Sequence, residues 1–171
     1  MRVGYRPGKT LGEGGSVAGV RRLNRPFGFA GRGRYTSRVN VQTYLFFDGC
    51  CQQAIELYKE ALNVEVVHLS RFSDAPEPLR SIAPPECVFH ATLRIGDTLL
   101  NLSDDPSQER GPFGGFALLV HLDMARAVDS ALEALSEGGQ VKMQAEAVPW
   151  ATRYAIVTDQ FGITWKLQFS G

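Results

Sequence analysis

One arrangement of segments occurs twice in this chain, and that repetition limits the fold more than any other feature. Residues 39–47 alternate and are rich in β-branched and aromatic side chains, the mark of a strand, and Asp48-Gly49 ends the run. Cys51, Ala54, Ile55, Tyr58, Ala61 and Leu62 then recur at helical spacing, with Gln52, Gln53, Glu56 and Lys59 on the other side. Asn63 can stop this helix in a left-handed conformation. Residues 64–72 read as a second strand, and 73–86, with four prolines, as a loop. Residues 87–95 and 98–103 form a hairpin across Gly96-Asp97.

After a polar, glycine-rich linker (104–114) the order begins again. Residues 115–122 read as a strand, and Asp123 is an expected helix N-cap. Val128, Ala131, Leu132 and Leu135 form one apolar helix face, which Gly138-Gly139 ends. Strands follow at 140–147, 150–158 and 163–169, the last two joined by the turn Asp159-Gln160-Phe161-Gly162. The chain therefore reads β-α-β-β-β twice. A four-stranded sheet with one helix covers only one of its faces. Two such units side by side give an α+β fold: paired βαβββ modules, about 39–103 and 115–170, forming a curved eight-stranded mixed sheet with helices outside and a cleft inside. That cleft is the default place for a ligand.

This double order resembles the vicinal-oxygen-chelate superfamily, the glyoxalase/bleomycin resistance group, and local segments are similar to its PhnB-like branch. They are Tyr44-Leu45-Phe46-Phe47-Asp48-Gly49, Ala54-Ile55-Glu56-Leu57-Tyr58, His90-Ala91-Thr92-Leu93-Arg94-Ile95-Gly96-Asp97, Ser103-Asp104-Asp105, Glu137-Gly138-Gly139-Gln140-Val141 and Thr158-Asp159-Gln160-Phe161-Gly162-Ile163-Thr164-Trp165. Together they span 39–170, or 132 of 171 positions. The resemblance implies a homodimer. In metal-using members it also implies four ligands converging in the cleft, at positions that here hold Gln42, His90, Phe116 and Lys166. Only His90 is a good ligand; Gln42 is a weak carbonyl donor, Phe116 has none, and Lys166 brings a positive charge.

If Gln42 and His90 face the cleft, strand alternation turns Tyr44, Phe46, Thr92, Arg94, Phe116, Leu118, Thr164, Lys166 and Gln168 the same way. Val41, Leu45, Phe47, Ala91, Leu93, Ile95, Trp165, Leu167 and Phe169 then pack under the helices. The helix side is apolar and the cleft side mixed. Unpaired buried charge is expensive, so the cleft is expected to be wet or to hold a polar or anionic ligand. Trp150, Arg153 and Tyr154 form a second candidate group: either Trp150 is core, or it stacks on a planar ligand while Arg153 holds an anion. The candidate ligand-cleft set is Gln42, Tyr44, His90, Arg94, Phe116, Trp150, Arg153 and Lys166, with His90 as the remnant of a metal site. His68 and His121 are expected at the surface or a strand edge, without a role.

The net charge of zero conceals an asymmetry. Residues 1–38 hold eight Arg and one Lys against Glu13 alone, a net +8, so the remainder carries −8. With nine glycines and no apolar periodicity, 1–38 is expected to be a disordered basic tail. Three origins stay open: a non-native extension, a nucleic-acid-binding arm, or an Arg-rich transit segment. Gly12, Gly14 and Gly15 lack the strand, helix and Gly-Lys-Ser/Thr of a phosphate loop. Three cysteines are too few for a disulfide framework, which points to reduced thiols and a cytoplasmic protein. No stretch is long and apolar enough to cross a bilayer.

Two functions remain. One is a small-molecule binding protein with a degenerate metal site and no cofactor. The other is a metal-dependent lyase, isomerase or dioxygenase with an altered ligand set, in which a divalent metal is the cofactor. A methyltransferase, a name attached to the PhnB-like branch, would need a glycine-rich turn in a doubly wound pattern, and the sequence has neither. Partners are expected to be a small-molecule ligand and a second copy of the chain, with no membrane, and with nucleic acid only through the basic tail.

Overall fold

The structure, a computed structural model, describes residues 40–105 and 113–171. The expected basic tail and part of the expected linker lie outside the described residues. The remainder contains strand β1 (Thr43–Phe47), helix α1 (Cys51–Leu62), and strands β2 (Glu65–Arg71), β3 (Val88–Ile95) and β4 (Thr98–Asp104). The second set is β5 (Leu118–His121), α2 (Ala125–Ser136), β6 (Gln140–Val148), β7 (Ala151–Thr158) and β8 (Thr164–Phe169). The βαβββ order is thus present twice. The strands hydrogen-bond as two four-stranded sheets, ordered β1-β4-β3-β2 and β5-β8-β7-β6. In each, the first strand runs parallel to the last and the rest pair antiparallel.

The local chemistry explains most boundaries. Asn63 ends α1 at φ 49°, the left-handed conformation its short side chain tolerates. Gly162 takes φ +91°, which a β-branched residue would reach only under strain. A Cβ on Gly139 would lie 2.5 Å from the carbonyl oxygen of Thr158, so only glycine lets the end of α2 approach β7 this closely. Two details differ from expectation. β1 starts at Thr43, which leaves Val41 outside the strand and 90% exposed instead of under a helix. Met124, not Asp123, is the N-cap of α2, and no side chain caps that helix.

One apolar core lies between the helices and the sheets and draws on both modules. Tyr58 and Ile55 of α1, Leu132 and Leu135 of α2, Leu93 and Leu102 of the first sheet, and Trp165 and Leu167 of the second belong to it. The two helices also pack on each other. Among the described residues two carboxylates are buried, Asp104 and Asp159, and Asp159, only 3% exposed, sits where the two modules meet. Its Oδ2 accepts hydrogen bonds from the Tyr58 hydroxyl at 2.8 Å and the Trp165 indole N–H at 2.9 Å. Its Oδ1 accepts the backbone N–H groups of Phe161 and Ile163, each at 2.9 Å. Tyr58 comes from the first module and the other donors from the second. Burial, and then the negative charge of Asp159, push the Tyr58 hydroxyl well above its ordinary pKa, so it stays protonated and keeps donating.

A buried donor stripped of its acceptor costs about 1–3 kcal/mol. Asp159→Ala strips several at once and should lower unfolding free energy by about 3–5 kcal/mol, as when one partner of a buried charged pair is removed. Tyr58→Phe removes a single bond to a charged acceptor and should cost about 1.5–3 kcal/mol. Urea denaturation of both variants checks the ranking, and an Asp159→Ala loss below that of Tyr58→Phe would contradict the bridging role.

Candidate functional site on the open face of the first sheet

The face of the first sheet turned away from α1 carries a chain of polar side chains. Tyr44 lies opposite Asn101 and Phe46 opposite Ser103 in the β1–β4 ladder, while His90 and Thr92 alternate along β3. The Tyr44 hydroxyl lies 2.8 Å from His90 Nδ1, and His90 Nε2 lies 3.1 Å from Thr92 Oγ1. Thr92 donates to Asn101 Oδ1 at 2.9 Å, and Asn101 Nδ2 donates to Gln42 Oε1 at 2.8 Å. Because the only hydroxyl proton of Thr92 goes to Asn101, Thr92 accepts from Nε2–H, and in the neutral ring, which burial favours, Nδ1 accepts from the Tyr44 hydroxyl. The chain therefore assigns one direction and one neutral tautomer to His90. Burial, and secondarily the charge of His68, hold its pKa below the ordinary 6.5. The His68 ring lies 5.7 Å from that of His90.

Beside this chain is a hollow of about 430 Å³, lined by residues of the first module and the start of the following segment. Tyr44 and Phe46, stacked at 4.7 Å, form one wall with His90. Phe72, Phe89 and Ile82 form another. The proline-rich loop that supplies Ile82 is pinned at its base. Arg71 donates to the Glu86 carbonyl at 2.6 Å and to Gln52 Oε1 at 3.0 Å, and Ser73 N–H bonds the Pro85 carbonyl. These bonds fix the two ends of the loop against each other.

The structure brings Gln42, Tyr44 and His90 together and separates the other candidates. Arg94 shares the sheet but is exposed and paired with Glu65 at 3.3 Å. Lys166 belongs to the open face of the second sheet, opposite in parity to the buried Trp165 and Leu167. Arg153 points to the helix side, where Asp129 of α2 accepts two of its hydrogen bonds. Trp150 stands at the β6–β7 turn, 62% exposed, with its edge against Tyr154, so it is not core. Phe116 precedes β5 and packs against Phe113, which leans on the core. Leu118 pairs with Trp165 and also packs on the core, so the alternation expected for 116 and 118 is displaced by one residue. Leu119 and His121 take the open face instead.

Sequence reasoning missed Asn101, Ser103 and the proximity of His68. Alternation within β4, with Leu100 and Leu102 inward, was a usable signal for the first two. The meeting of His68 with His90 depends on an irregular register between β2 and β3, which no local pattern reveals.

The superfamily's metal does not fit these donors. Both nitrogens of His90 are engaged, Gln42 Oε1 accepts from Asn101, Phe116 has no donor atom, and Lys166 is a cation on the other sheet. Among the described residues no group of three or more His, Cys, Asp or Glu side chains could hold an ion.

Paired βαβββ modules with a polar open sheet face define a glyoxalase-like protein. Residues 40–167 match the Glyoxalase/Bleomycin resistance protein/Dioxygenase superfamily, and the chain belongs to it. It is 26% identical over 136 residues to protein YjdN of Escherichia coli, covering 74% of this chain and 92% of that protein. Among solved structures it is similar to protein PA1353 from Pseudomonas aeruginosa, with TM-score 0.69 and 28% identity, covering 77% of this chain and 98% of that one. A PhnB protein from Bacillus cereus shares the fold at TM-score 0.66 and 21% identity, covering 77% and 99%.

The depressed pKa of His90 has a direction that can be tested. Its neutral form is favoured in the fold, so its contribution to stability is present above pH 6.5 and is lost as pH falls through the lower folded value. In an NMR titration the His90 ring should change shift at lower pH than a model imidazole, and His68→Ala should move the midpoint upward. A midpoint at or above 6.5 would contradict the neutral assignment.

Proposed function

We propose that this chain is a small-molecule binding protein of the superfamily whose metal position is degenerate, and that its ligand sits in the hollow beside His90. One observation carries the reading. At the position where a metal ligand is expected, His90 is built into a directed hydrogen-bond chain with Tyr44, Thr92, Asn101 and Gln42. The same side chains border an open, aromatic-walled hollow, and a fixed polar edge beside apolar walls is the usual make-up of a small-molecule site. The chain is further proposed to act as a homodimer in the cytoplasm. Cys50, Cys51 and Cys87 form no disulfide, which suits a reducing compartment.

The alternative is a metal-dependent lyase, isomerase or dioxygenase, and the same preparation discriminates between the two. A thermal-shift screen of small aromatic and polar compounds, run with and without a chelator, should find ligands whose effect the chelator leaves unchanged. His90→Ala should weaken a hit several-fold, because it removes part of the hollow's wall and the group that positions the Tyr44 hydroxyl, while shifting the midpoint of the free protein little. One equivalent of a divalent metal on the purified protein, with binding lost on chelation, would replace this reading with the enzymatic one.

A further inference from the structure

We infer that the hollow beside His90 is a subsite for a planar aromatic group bearing a cationic or neutral hydrogen-bonding substituent, and that it discriminates against anions. The inference rests on the proposed function and adds the charge class of the ligand.

Three features carry it. The first is the set of charges. Four aromatic rings, Tyr44, Phe46, Phe72 and Phe89, line the hollow together with the acidic residues Asp104 and Asp105, and no Lys or Arg lines it among the described residues. Aromatic faces attract cations and repel anions through the ring quadrupole. The cations that might have held an anion are committed elsewhere: Arg94 to Glu65, Arg153 to Asp129, and Arg71 to the loop base.

The second is the use of the backbone donors. The first N–H of α1 is bonded to Asp104, one of the lining residues, and a helix N-terminus would ordinarily favour an anion. Here Asp104 fills that role from within the chain, accepting the Cys51 N–H at 2.9 Å through Oδ1 and the Val88 N–H at 2.8 Å through Oδ2. An incoming anion would meet a carboxylate where a bare helix end would have offered N–H groups. His90, neutral in the fold, adds no positive charge.

The third is Ser103. It lines the hollow, is 5% exposed, and its hydroxyl has no hydrogen-bond partner among the described residues. Buried hydroxyls are almost always paired, so this one is a candidate for the hydrogen-bonding substituent of a ligand. Its register partner Phe46 sets an exposed ring beside it, which places ring and hydroxyl at one end of the hollow.

Three probes sharing one ring system separate the possibilities: 2-naphthylmethylamine (a cation at pH 7.5), 2-naphthol and 2-naphthoate, titrated calorimetrically into the full chain. The amine should bind tightest and naphthol next, with naphthoate at least about tenfold weaker than naphthol. Ser103→Ala should weaken the amine and naphthol several-fold, and Phe46→Ala should weaken all three, each variant being checked for unchanged circular dichroism. Ile82→Ala, on the loop, gives an independent loss of affinity that does not touch the sheet.

Naphthoate binding as tightly as naphthol overturns the charge assignment; if His90→Ala also weakens it, the binding-protein reading survives. Failure of all three probes overturns the subsite. Should the wider screen still yield a compound sensitive to His90→Ala, only the subsite falls, and should it yield none, both readings fall together.

Discussion

A carboxylate in an apolar layer has to be repaid in hydrogen bonds, and the fold of this chain is organised around how Asp159 is repaid. Transfer of an ionised group out of water is costly unless several donors replace the lost hydration. Asp159 collects two donors from the turn that follows it, one from the indole of β8, and one from Tyr58 on the helix of the other module. The turn donors fix its own loop, the indole fixes the largest fully buried side chain, Trp165, and the Tyr58 hydroxyl fixes α1 against the second module. Among the described residues no ladder bonds join the two sheets, and the modules are united by the shared core, the helix pair and this node.

Much of the architecture was legible because it depends on local periodicity. The 3.6-residue spacing of Cys51, Ala54, Ile55 and Tyr58 and of Val128, Ala131, Leu132 and Leu135 maps directly onto the buried faces of α1 and α2. Alternation placed Leu93 and Trp165 inward correctly. It failed at Leu118, because β5 has four residues and so few positions to fix its parity. Gln42, just before β1, joins Tyr44 and His90 through Asn101, and the pairing of Tyr44 with His90 followed from alternation along β1 and the eight-residue β3. The separation of Arg94, Arg153 and Lys166 did not, since each is drawn off by a partner or a sheet that only the tertiary structure supplies. The role of Asp159 was likewise hidden: a turn-forming Asp-Gln-Phe-Gly reads as a surface feature, and nothing local says that a tyrosine a hundred positions earlier will meet it.

The open face gives His90 a setting unlike that of a metal-bound imidazole. An imidazole in a metal site leaves one nitrogen for the ion and anchors the other. Here Tyr44 and Thr92 engage both nitrogens, and the next groups along the chain are amides, not carboxylates. The arrangement is internally satisfied, which favours one side-chain geometry.

The two sheets also leave four edges, and each is blunted. β1 and β5, which lack an outer ladder partner, have only five and four residues. β2 and β6, the opposite edges, are longer but carry register irregularities at Val66/His68 and Ser70/Arg71 and at three places along β6. Short or bulged borders offer a stray strand few consecutive amides to zip onto. Splitting eight strands into two sheets doubles the number of such borders, and this chain tempers the resulting hazard of self-association by keeping two of them short and interrupting the other two.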